Sequence, residues 1–330
     1  MSAGALPFDL GAVAPGRRLK TALEVPTPDG DAPARLPLLV ARGREAGPTI
    51  VVLAGVHGDE YEGMAAVRAV FDRLDPGRLR GAFLGVPVCH PAAFAAGTRE
   101  SPLDGLNLAR VFPGRSDGAV TERIARVIAT ALIRLADFLI DLHSSGRDAA
   151  MPLLVGYDAT DDAAGRQSYE AARRFGVPTI WGHPAISPGR TISEANRLRV
   201  PWLYTECPGG GWLHPDTAAA YARGVLNVMA SLHAVDGEAP VAPITDDLIG
   251  DGDVDRSLAA PASGFLSSRV SLLERVRAGD VLGQVEDPWG DVVARIVAPA
   301  DGVVVLRRNT ARVMAGDIAY LLTGERSHDD

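Results

Sequence analysis

The stretch TIVVLAGVHGDEYEG at residues 49–63 decides the fold of this chain. Its first six residues, Thr49 to Ala54, are apolar or β-branched without a break, which is typical of a strand buried on both faces. The chain then turns at two glycines and places His57 and Glu60 three residues apart. A helix-like segment from Tyr61 to Leu74 follows, so the stretch predicts a strand, a sharp turn and a helix.

The turn between that strand and that helix has two interpretations. Open α/β sheets bind ligands at the carboxyl ends of their strands, so a His-x-x-Glu pair there is well placed to hold a metal. Imidazole nitrogen and carboxylate oxygen are both common zinc ligands. The alternative is a glycine-rich turn in which Asp59 and Glu60 favour the N-terminus of the helix electrostatically. The motif taken alone leaves both interpretations open.

Composition excludes several classes of protein. The 330 residues carry a net charge of −8, which argues against a nucleic-acid surface because such surfaces are normally basic. Two cysteines, Cys89 and Cys207, cannot form a disulfide framework. No apolar run approaches the length of about 20 residues that a membrane span needs. The segment Met1 to Leu10 lacks the features of a signal peptide, so we expect a cytoplasmic protein.

Outward from residues 49–63, apolar strands alternate with helical patterns. Two short β-like pieces around the turn Pro26 to Gly30 predict a hairpin, and a long irregular stretch covers residues 90–118. Alternating strands and helices predict an α/β fold with a doubly wound, mainly parallel sheet. The other predicted elements share these apolar patterns: strands at 17–25, 34–41, 81–89, 137–142, 151–157, 178–181 and 200–205, and helices at 119–135, 163–175 and 216–232.

The last part of the chain has a different pattern. Residues 234–256 are rich in proline, glycine and acidic side chains and are interpreted as a linker, and residues 257–323 show short strands broken by glycine turns. The sequences APASG at 260–264 and APADG at 298–302 suggest two similar halves of a small β-barrel. We therefore predict one large α/β domain at residues 1–240 and a linker with a small barrel at 241–330.

Three predicted strands of the first domain end in residues that suit a hydrolase. They end in His57 with Glu60, in His143, and in Glu206. Because neighbouring parallel strands end at the same edge of a sheet, His57, Glu60 and His143 can meet despite their separation along the chain. Two imidazoles and one carboxylate with an open position form the arrangement of a hydrolytic zinc centre, so we predict one Zn²⁺ per chain.

The order of the motifs along the chain resembles that of a known protein family. HGDE at 57–60, a loop with arginines, DLH at 141–143 and TECPGGG at 205–211 together resemble the succinylglutamate desuccinylase/aspartoacylase family. That family has a zinc carboxypeptidase-like fold, and the C-terminal barrel resembles the lipoyl-like appendage of many bacterial members. Residues 234–330 contain no lysine, which excludes lipoylation or biotinylation there. The barrel is expected to be a cover, an oligomerisation surface or a wall of the active-site entrance.

The resemblance implies a role for each matching residue. His57, Glu60 and His143 would bind the zinc, and Glu206 would be the general base. Arg99 would stabilise the oxyanion.

For the substrate carboxylate, the resemblance implies Arg110, which can bind it through two parallel hydrogen bonds. Ala109 stands where the family has asparagine, and Asn107 is a candidate replacement in substrate binding. Arg190, in the loop before the Glu206 strand, is a further substrate-binding candidate. Asp141 either contacts His143 or forms a hydrogen bond elsewhere.

Two histidines, His183 and His214, are expected to have no chemical role. The expected function is a zinc-dependent amidohydrolase that removes the acyl group from an N-acyl amino acid or a related small carboxylate. An N-acetyl-diaminobutyrate deacetylase is one specific candidate, suggested by the family alone. The alternatives are a zinc carboxypeptidase acting on small peptides or amino-acid conjugates, and a catalytically silent metal-binding protein of the same fold. The expected partner is a small molecule, without nucleic acid or membrane, and a homo-oligomer is one alternative for the subunit count.

Overall fold

The computed structural model describes residues 8–27, 34–237, 239–241 and 243–326. Most of the segment Met1 to Leu10 and part of the turn Pro26 to Gly30 lie outside the described residues. No helix in the described ranges is both long enough and apolar enough to cross a membrane.

Strands and helices alternate up to residue 231, and short strands dominate after it. The helices are α1 Tyr61–Arg73, α2 Pro91–Ala96, α3 Val120–Ala131, α4 Ala163–Phe175, α5 Thr191–Leu198 and α6 Pro215–Ser231. The strands are β1 Arg17–Val25, β2 Ala34–Arg42, β3 Glu45–Ala54, β4 Arg80–Val86, β5 Phe138–Leu142, β6 Ala149–Ala150, β7 Leu154–Asp158, β8 Thr179–His183, β9 Trp202–Glu206, β10 Asp246–Ile249, β11 Leu258–Ala259, β12 Gly264–Ser268, β13 Arg275–Val276, β14 Val281–Glu286, β15 Val292–Val297, β16 Gly302–Arg308, β17 Arg312–Val313 and β18 Ile318–Glu325. Single 3₁₀ turns lie at Leu10–Ala12, Leu108–Arg110, Ile133–Leu135 and Val254–Arg256.

The main sheet is mixed and mainly parallel in its centre. Its strand order begins β1-β2-β4-β3-β5-β9-β7-β8-β10. Strand β3 pairs in parallel with both β4 and β5, and β5 pairs in parallel with β9. Strands β1, β2 and β4 pair antiparallel, as do β7 and β9. The predicted mixed α/β sheet is therefore confirmed, with its parallel pairs confined to the centre.

Strand β3 explains why helices cover both faces of this sheet. Its alternate side chains Ile50, Val52 and Ala54 pack in one core with residues of α1, α4 and α6. Val51 and Leu53 point into a second core with residues of α3 and α5. All five side chains are fully buried, as the unbroken apolar run predicts for a strand covered on both faces.

Two sequence expectations need correction in this part of the chain. The stretch at residues 90–118 is not wholly irregular, because it contains α2 and the 3₁₀ turn Leu108–Arg110. Helix α5 is present where no element was expected. It is only eight residues long, and few apolar positions fit into two turns of helix.

Residues 234–256 are not simply a linker. Strand β10 pairs in parallel with β8 and antiparallel with β18, so the segment extends the main sheet and connects it to the C-terminal strands. Strands β15, β14, β12 and β17 form a second, small antiparallel sheet. The boundary at residue 240 and the likeness to a lipoyl domain remain predictions.

Candidate active site

The ends of two neighbouring strands position the candidate metal ligands. His57 and Glu60 lie in the turn between β3 and α1, and His143 directly follows β5. Gly55 starts that turn with a φ of +63°, and a Cβ there would lie 3.0 Å from the Pro87 carbonyl oxygen. Because β3 and β5 are adjacent and parallel, both strand ends meet at the same edge of the sheet.

His57, Glu60 and His143, which we call the ligand cluster, are in direct contact. The Nδ1 atom of His57 lies 2.8 Å from Glu60 Oε1, and the Nδ1 atom of His143 lies 2.9 Å from Glu60 Oε2. One ligand atom from each residue lies within 4.8 Å of the others. The structure thus brings together the three residues that the sequence singled out.

The outer nitrogen of each imidazole is held by an oxygen atom. His57 Nε2 lies 3.1 Å from Asn107 Oδ1, and His143 Nε2 lies 3.0 Å from Asp141 Oδ2. Asn107 Oδ1 also accepts a hydrogen bond from the Ala109 N–H, which assigns the orientation of its amide group. Both oxygens are acceptors, so each ring carries a proton on Nε2. The opposite nitrogen of each ring, Nδ1, faces Glu60. Metal-binding histidines share this arrangement, in which the nitrogen away from the metal donates to an oxygen atom.

The groups of the ligand cluster and their neighbours shift one another's pKa values. Burial, followed by the charge of Arg99, lowers the pKa of His57 to about 4. Burial acts to raise the pKa of Glu60, but the two imidazoles hold it well below its usual value. Burial acts to lower the pKa of His143, but the carboxylates of Asp141 and Glu60 raise it well above its usual value.

Arg99 places a positive charge directly against the ligand cluster. Its Nη1 atom lies 3.2 Å from Glu60 Oε1 and 3.3 Å from His57 Nδ1. The donors of the ligand cluster thus attract cations, and two imidazole nitrogens with one carboxylate suit Zn²⁺ in particular. The residues present therefore fit a zinc ion.

Glu206 is the fourth candidate functional residue at this edge of the sheet. It ends β9, which is the parallel neighbour of β5. Its Oε2 atom is buried without a hydrogen-bond partner in the described part of the chain. Burial, followed by the negative charge of Glu60, raises the pKa of Glu206 to about 8. A carboxyl group with this pKa can hold or release a proton near neutral pH.

A small cavity joins these groups. Its lining includes His57, His143, Glu206 and three arginines, Arg99, Arg110 and Arg190, and its volume is about 80 Å³. The arginine loops are tied together, because the Phe112 N–H donates to the Gly189 carbonyl oxygen at 3.0 Å. The residues to which the sequence gave a role therefore line this cavity, apart from Glu60 and Asn107.

All three arginines already contact carboxylates, Arg99 that of Glu60 and the other two those of aspartates. Arg110 donates to Asp255 through Nε at 2.8 Å and through Nη2 at 2.9 Å. Arg190 Nη2 donates to Asp253 Oδ1 at 2.7 Å. The sequence did not indicate these aspartate partners, and the substrate roles of both arginines remain predictions. Asn107 likewise supports His57, whereas the sequence suggested that it contacts the substrate.

Sequence reasoning missed several other residues of the cavity wall. His183 was expected to have no role, but it is buried and lines the cavity together with Trp181 and Tyr204. Its Nδ1 lies 2.7 Å from the Gly250 carbonyl oxygen, and its Nε2 lies 2.9 Å from the Tyr204 hydroxyl. A signal existed for Tyr204, because it lies two residues before Glu206 on β9 and so shares its face of the sheet.

The C-terminal strands reach the entrance of this site. Strand β16 pairs with β6, shortly after His143. A neighbouring cavity is lined by Arg99, Arg110 and Glu206 together with Arg308 and Asp317. This location agrees with one of the three expectations for the C-terminal part, a wall of the entrance.

Comparisons with known proteins agree with this geometry. The sequence model of the succinylglutamate desuccinylase/aspartoacylase catalytic domain matches residues 46–232. This chain belongs to the succinylglutamate desuccinylase/aspartoacylase family. The match spans β3 to α6 and so includes the whole ligand cluster and Glu206.

Relatives within the family extend beyond that domain. The N-alpha-acetyl-L-2,4-diaminobutyric acid deacetylase of Halomonas elongata is 33% identical over 286 residues, which is 86% of this chain and 83% of that protein. The product-bound structure of the ectoine utilization protein EutE (DoeB) from Ruegeria pomeroyi has a TM-score of 0.85 at 27% identity, covering 95% of this chain and 98% of that chain. A succinylglutamate desuccinylase from Silicibacter sp. TM1040 has the same TM-score at 26% identity, covering 96% and 98%.

Proposed function

We propose that the protein is a zinc-dependent amidohydrolase that cleaves the acyl group from an N-acyl amino acid, with an N-acetyl-2,4-diaminobutyrate as the specific candidate. One observation carries the proposal: both histidines of the ligand cluster line the same small cavity as Glu206, whose Oε2 atom has no hydrogen-bond partner among the described residues. The named activity of the Halomonas elongata relative supports the choice of substrate.

The chain would hold the metal through His57 Nδ1, His143 Nδ1 and a Glu60 oxygen. A zinc ion bound there supplies Lewis-acid polarisation and lowers the pKa of water. Asn107 and Asp141 fix the two imidazole rings so that their Nδ1 atoms stay directed inward.

Glu206 is proposed to move the proton. It takes a proton from the attacking water as the bond between that oxygen and the acyl carbon forms. It then gives the proton to the departing nitrogen as the amide bond breaks, and the second proton of the water follows to the same nitrogen, so the products are a carboxylate and an ammonium group. Its buried Oε2 atom has no other hydrogen-bond partner among the described residues, and this leaves it free for that exchange.

The arginines are proposed to orient the substrate. Arg99 lies against the ligand cluster and can donate to the oxygen on which negative charge develops. Arg110 can bind the carboxylate of the amino acid through the same two atoms that now hold Asp255. The substrate carboxylate would then replace the carboxylate of Asp255 on Arg110.

A substrate screen with metal analysis tests the proposal. The purified protein should contain about one zinc per chain, as a single site with two histidines and one glutamate implies. It should release acetate from N-acetyl-2,4-diaminobutyrate, lose this activity with a chelator, and regain it with added zinc. Cleavage of dipeptides with no release of acetate would support the carboxypeptidase instead. Bound zinc with no hydrolysis of either class would support the silent metal-binding protein.

A further inference from the structure

Two arginines of the cavity wall, Arg110 and Arg190, each bind an aspartate from residues 251–256. These aspartates are Asp255 and Asp253, respectively. We call the four residues together the arginine rim. The aspartates lie on and next to the 3₁₀ turn Val254–Arg256, between β10 and β11.

The two ion pairs differ in exposure. The side chains of Arg110 and Asp255 are 24% and 57% exposed, whereas those of Arg190 and Asp253 are 14% and 15% exposed. Exposed pairs contribute little to stability because water solvates both partners well. A substrate carboxylate can therefore take the place of Asp255 on Arg110 at small cost.

Asp253 is held more firmly. Its Oδ1 atom accepts from Arg190 at 2.7 Å and from the Asp255 N–H at 3.2 Å, and its Oδ2 atom accepts from the Ser187 hydroxyl at 2.9 Å. Breaking a buried pair leaves a charge without a partner, which is costly. A substrate carboxylate will therefore not displace Asp253 from Arg190.

We propose that Asp253 is a specificity-determining residue, which neutralises Arg190 so that the site accepts N-acyl amino acids with one carboxylate and rejects those with two. The single carboxylate binds Arg110. A second carboxylate on the side chain finds the charge of Arg190 already cancelled by a fixed internal anion. This inference rests on the proposed function for its substrate class, while the pairing of Arg190 with Asp253 belongs to the structure itself.

The test compares two substrates that differ mainly in side-chain charge. N-acetylaspartate carries a second carboxylate, and N-acetyl-2-aminobutyrate has an uncharged side chain of similar size. In Asp253→Asn the amide oxygen can still accept from Arg190, but the negative charge is gone. We expect kcat/KM for N-acetylaspartate, relative to N-acetyl-2-aminobutyrate, to rise about tenfold or more.

The matched control is Asp236→Asn. Asp236 also contacts two arginines, Arg78 at 3.0 Å and Arg80 at 2.9 Å, but neither of them lines the cavity, whereas Arg190 does. This control should leave the ratio unchanged. If Asp253→Asn fails to fold, Asp253→Ser retains a hydroxyl at the start of the 3₁₀ turn and removes the same charge.

The proposal would be overturned if a folded Asp253 variant kept the same ratio of kcat/KM values for N-acetylaspartate and N-acetyl-2-aminobutyrate, including the case in which both values fall equally. Calorimetry can also measure the affinities of the wild type and the variant for free aspartate and free 2-aminobutyrate. These affinities distinguish a wrong role for Asp253 from a wrong proposed function, because binding needs no hydrolysis. If no acyl amino acid is hydrolysed, a gain in the relative affinity for aspartate still supports the role of Asp253. No change in relative affinity contradicts it.

Discussion

The ligand cluster and the arginine rim both contribute side chains to the wall of one cavity but are built in different ways. The cluster consists of side chains at the ends of neighbouring strands, and its members contact one another directly at 2.8 and 2.9 Å. The rim joins two loops to a segment more than sixty residues further along the chain. The first arrangement follows from sheet topology, and the second depends on tertiary packing. This difference predicts that changes near the cluster affect turnover, whereas changes at the rim affect the choice and binding of substrate.

The largest effect is expected for Glu206→Gln, which removes the proton carrier but no ligand. We expect kcat to fall by about 10²- to 10⁴-fold, the usual contribution of a general acid or base. Bound zinc, measured by mass spectrometry, should be unchanged. Glu170→Gln is the control, because Glu170 is half exposed and pairs with Arg173 and Arg174 on α4. Unchanged turnover in Glu206→Gln would remove this residue as the base.

A smaller effect is expected for Asn107→Ala, which removes the acceptor that holds His57 Nε2. Loss of such a supporting contact typically weakens metal binding by about 10- to 100-fold, and zinc titration against a chelator measures this change. Asn227→Ala is the control, because the Asn227 amide donates to the Phe175 carbonyl oxygen away from the cavity. If Asn107→Ala raised KM and left zinc affinity intact, Asn107 would contact the substrate, as the sequence suggested.

At the rim, Arg110→Lys should act mainly on binding. Lysine keeps the positive charge but cannot form two parallel hydrogen bonds with one carboxylate. We expect KM to rise about tenfold, which corresponds to about 1.4 kcal/mol, with little change in kcat. Steady-state kinetics on N-acetyl-2,4-diaminobutyrate gives both values. A fall in kcat without a change in KM would place Arg110 with the catalytic groups and break the distinction between the two regions.

The last prediction concerns the stability of the cavity wall at His183 and not activity. Burial lowers the pKa of His183 to about 4, so the folded protein keeps this ring neutral while the unfolded chain takes up a proton below its usual pKa of 6.5. Stability is therefore lost as the pH falls from 6.5 towards 4. Between pH 7 and pH 5, His183 should account for about 2 kcal/mol of the loss in unfolding free energy.

Denaturant unfolding of the metal-free protein at several pH values measures this contribution of His183 to the unfolding free energy. The pH dependence should be weaker in His183→Gln than in His233→Gln, whose parent side chain is exposed. Equal pH dependence in the two variants would show that His183 does not titrate differently on folding.

Much of the fold was predictable from the sequence because its strands are long apolar runs. Strand β3 was visible from Thr49 to Ala54, and helix α4 has the bounds that its periodicity predicts. His57, Glu60, His143 and Glu206 could be found because each follows or ends such a run. Their meeting needed only the rule that parallel strands end at one edge of a sheet.

Strand β10 and the arginine–aspartate pairs could not be predicted from the sequence, for physical reasons. Strand β10 is four residues long and lies in a segment rich in proline and glycine, so it carries no periodicity of its own. The pairs between Arg190 and Asp253 and between Arg110 and Asp255 depend on where that segment packs. No local pattern distinguishes an aspartate that binds a cavity arginine from one on a solvated loop.

The central claim is that the ligand cluster binds one metal ion through two imidazole nitrogens and a carboxylate. A crystal structure of the zinc-loaded protein, with anomalous diffraction at the zinc edge, tests it most directly. The account predicts one strong peak about 2.1 Å from His57 Nδ1, from His143 Nδ1 and from a Glu60 oxygen. A protein that hydrolyses its substrate but shows no peak at the cluster, or a peak at other residues, would contradict the account.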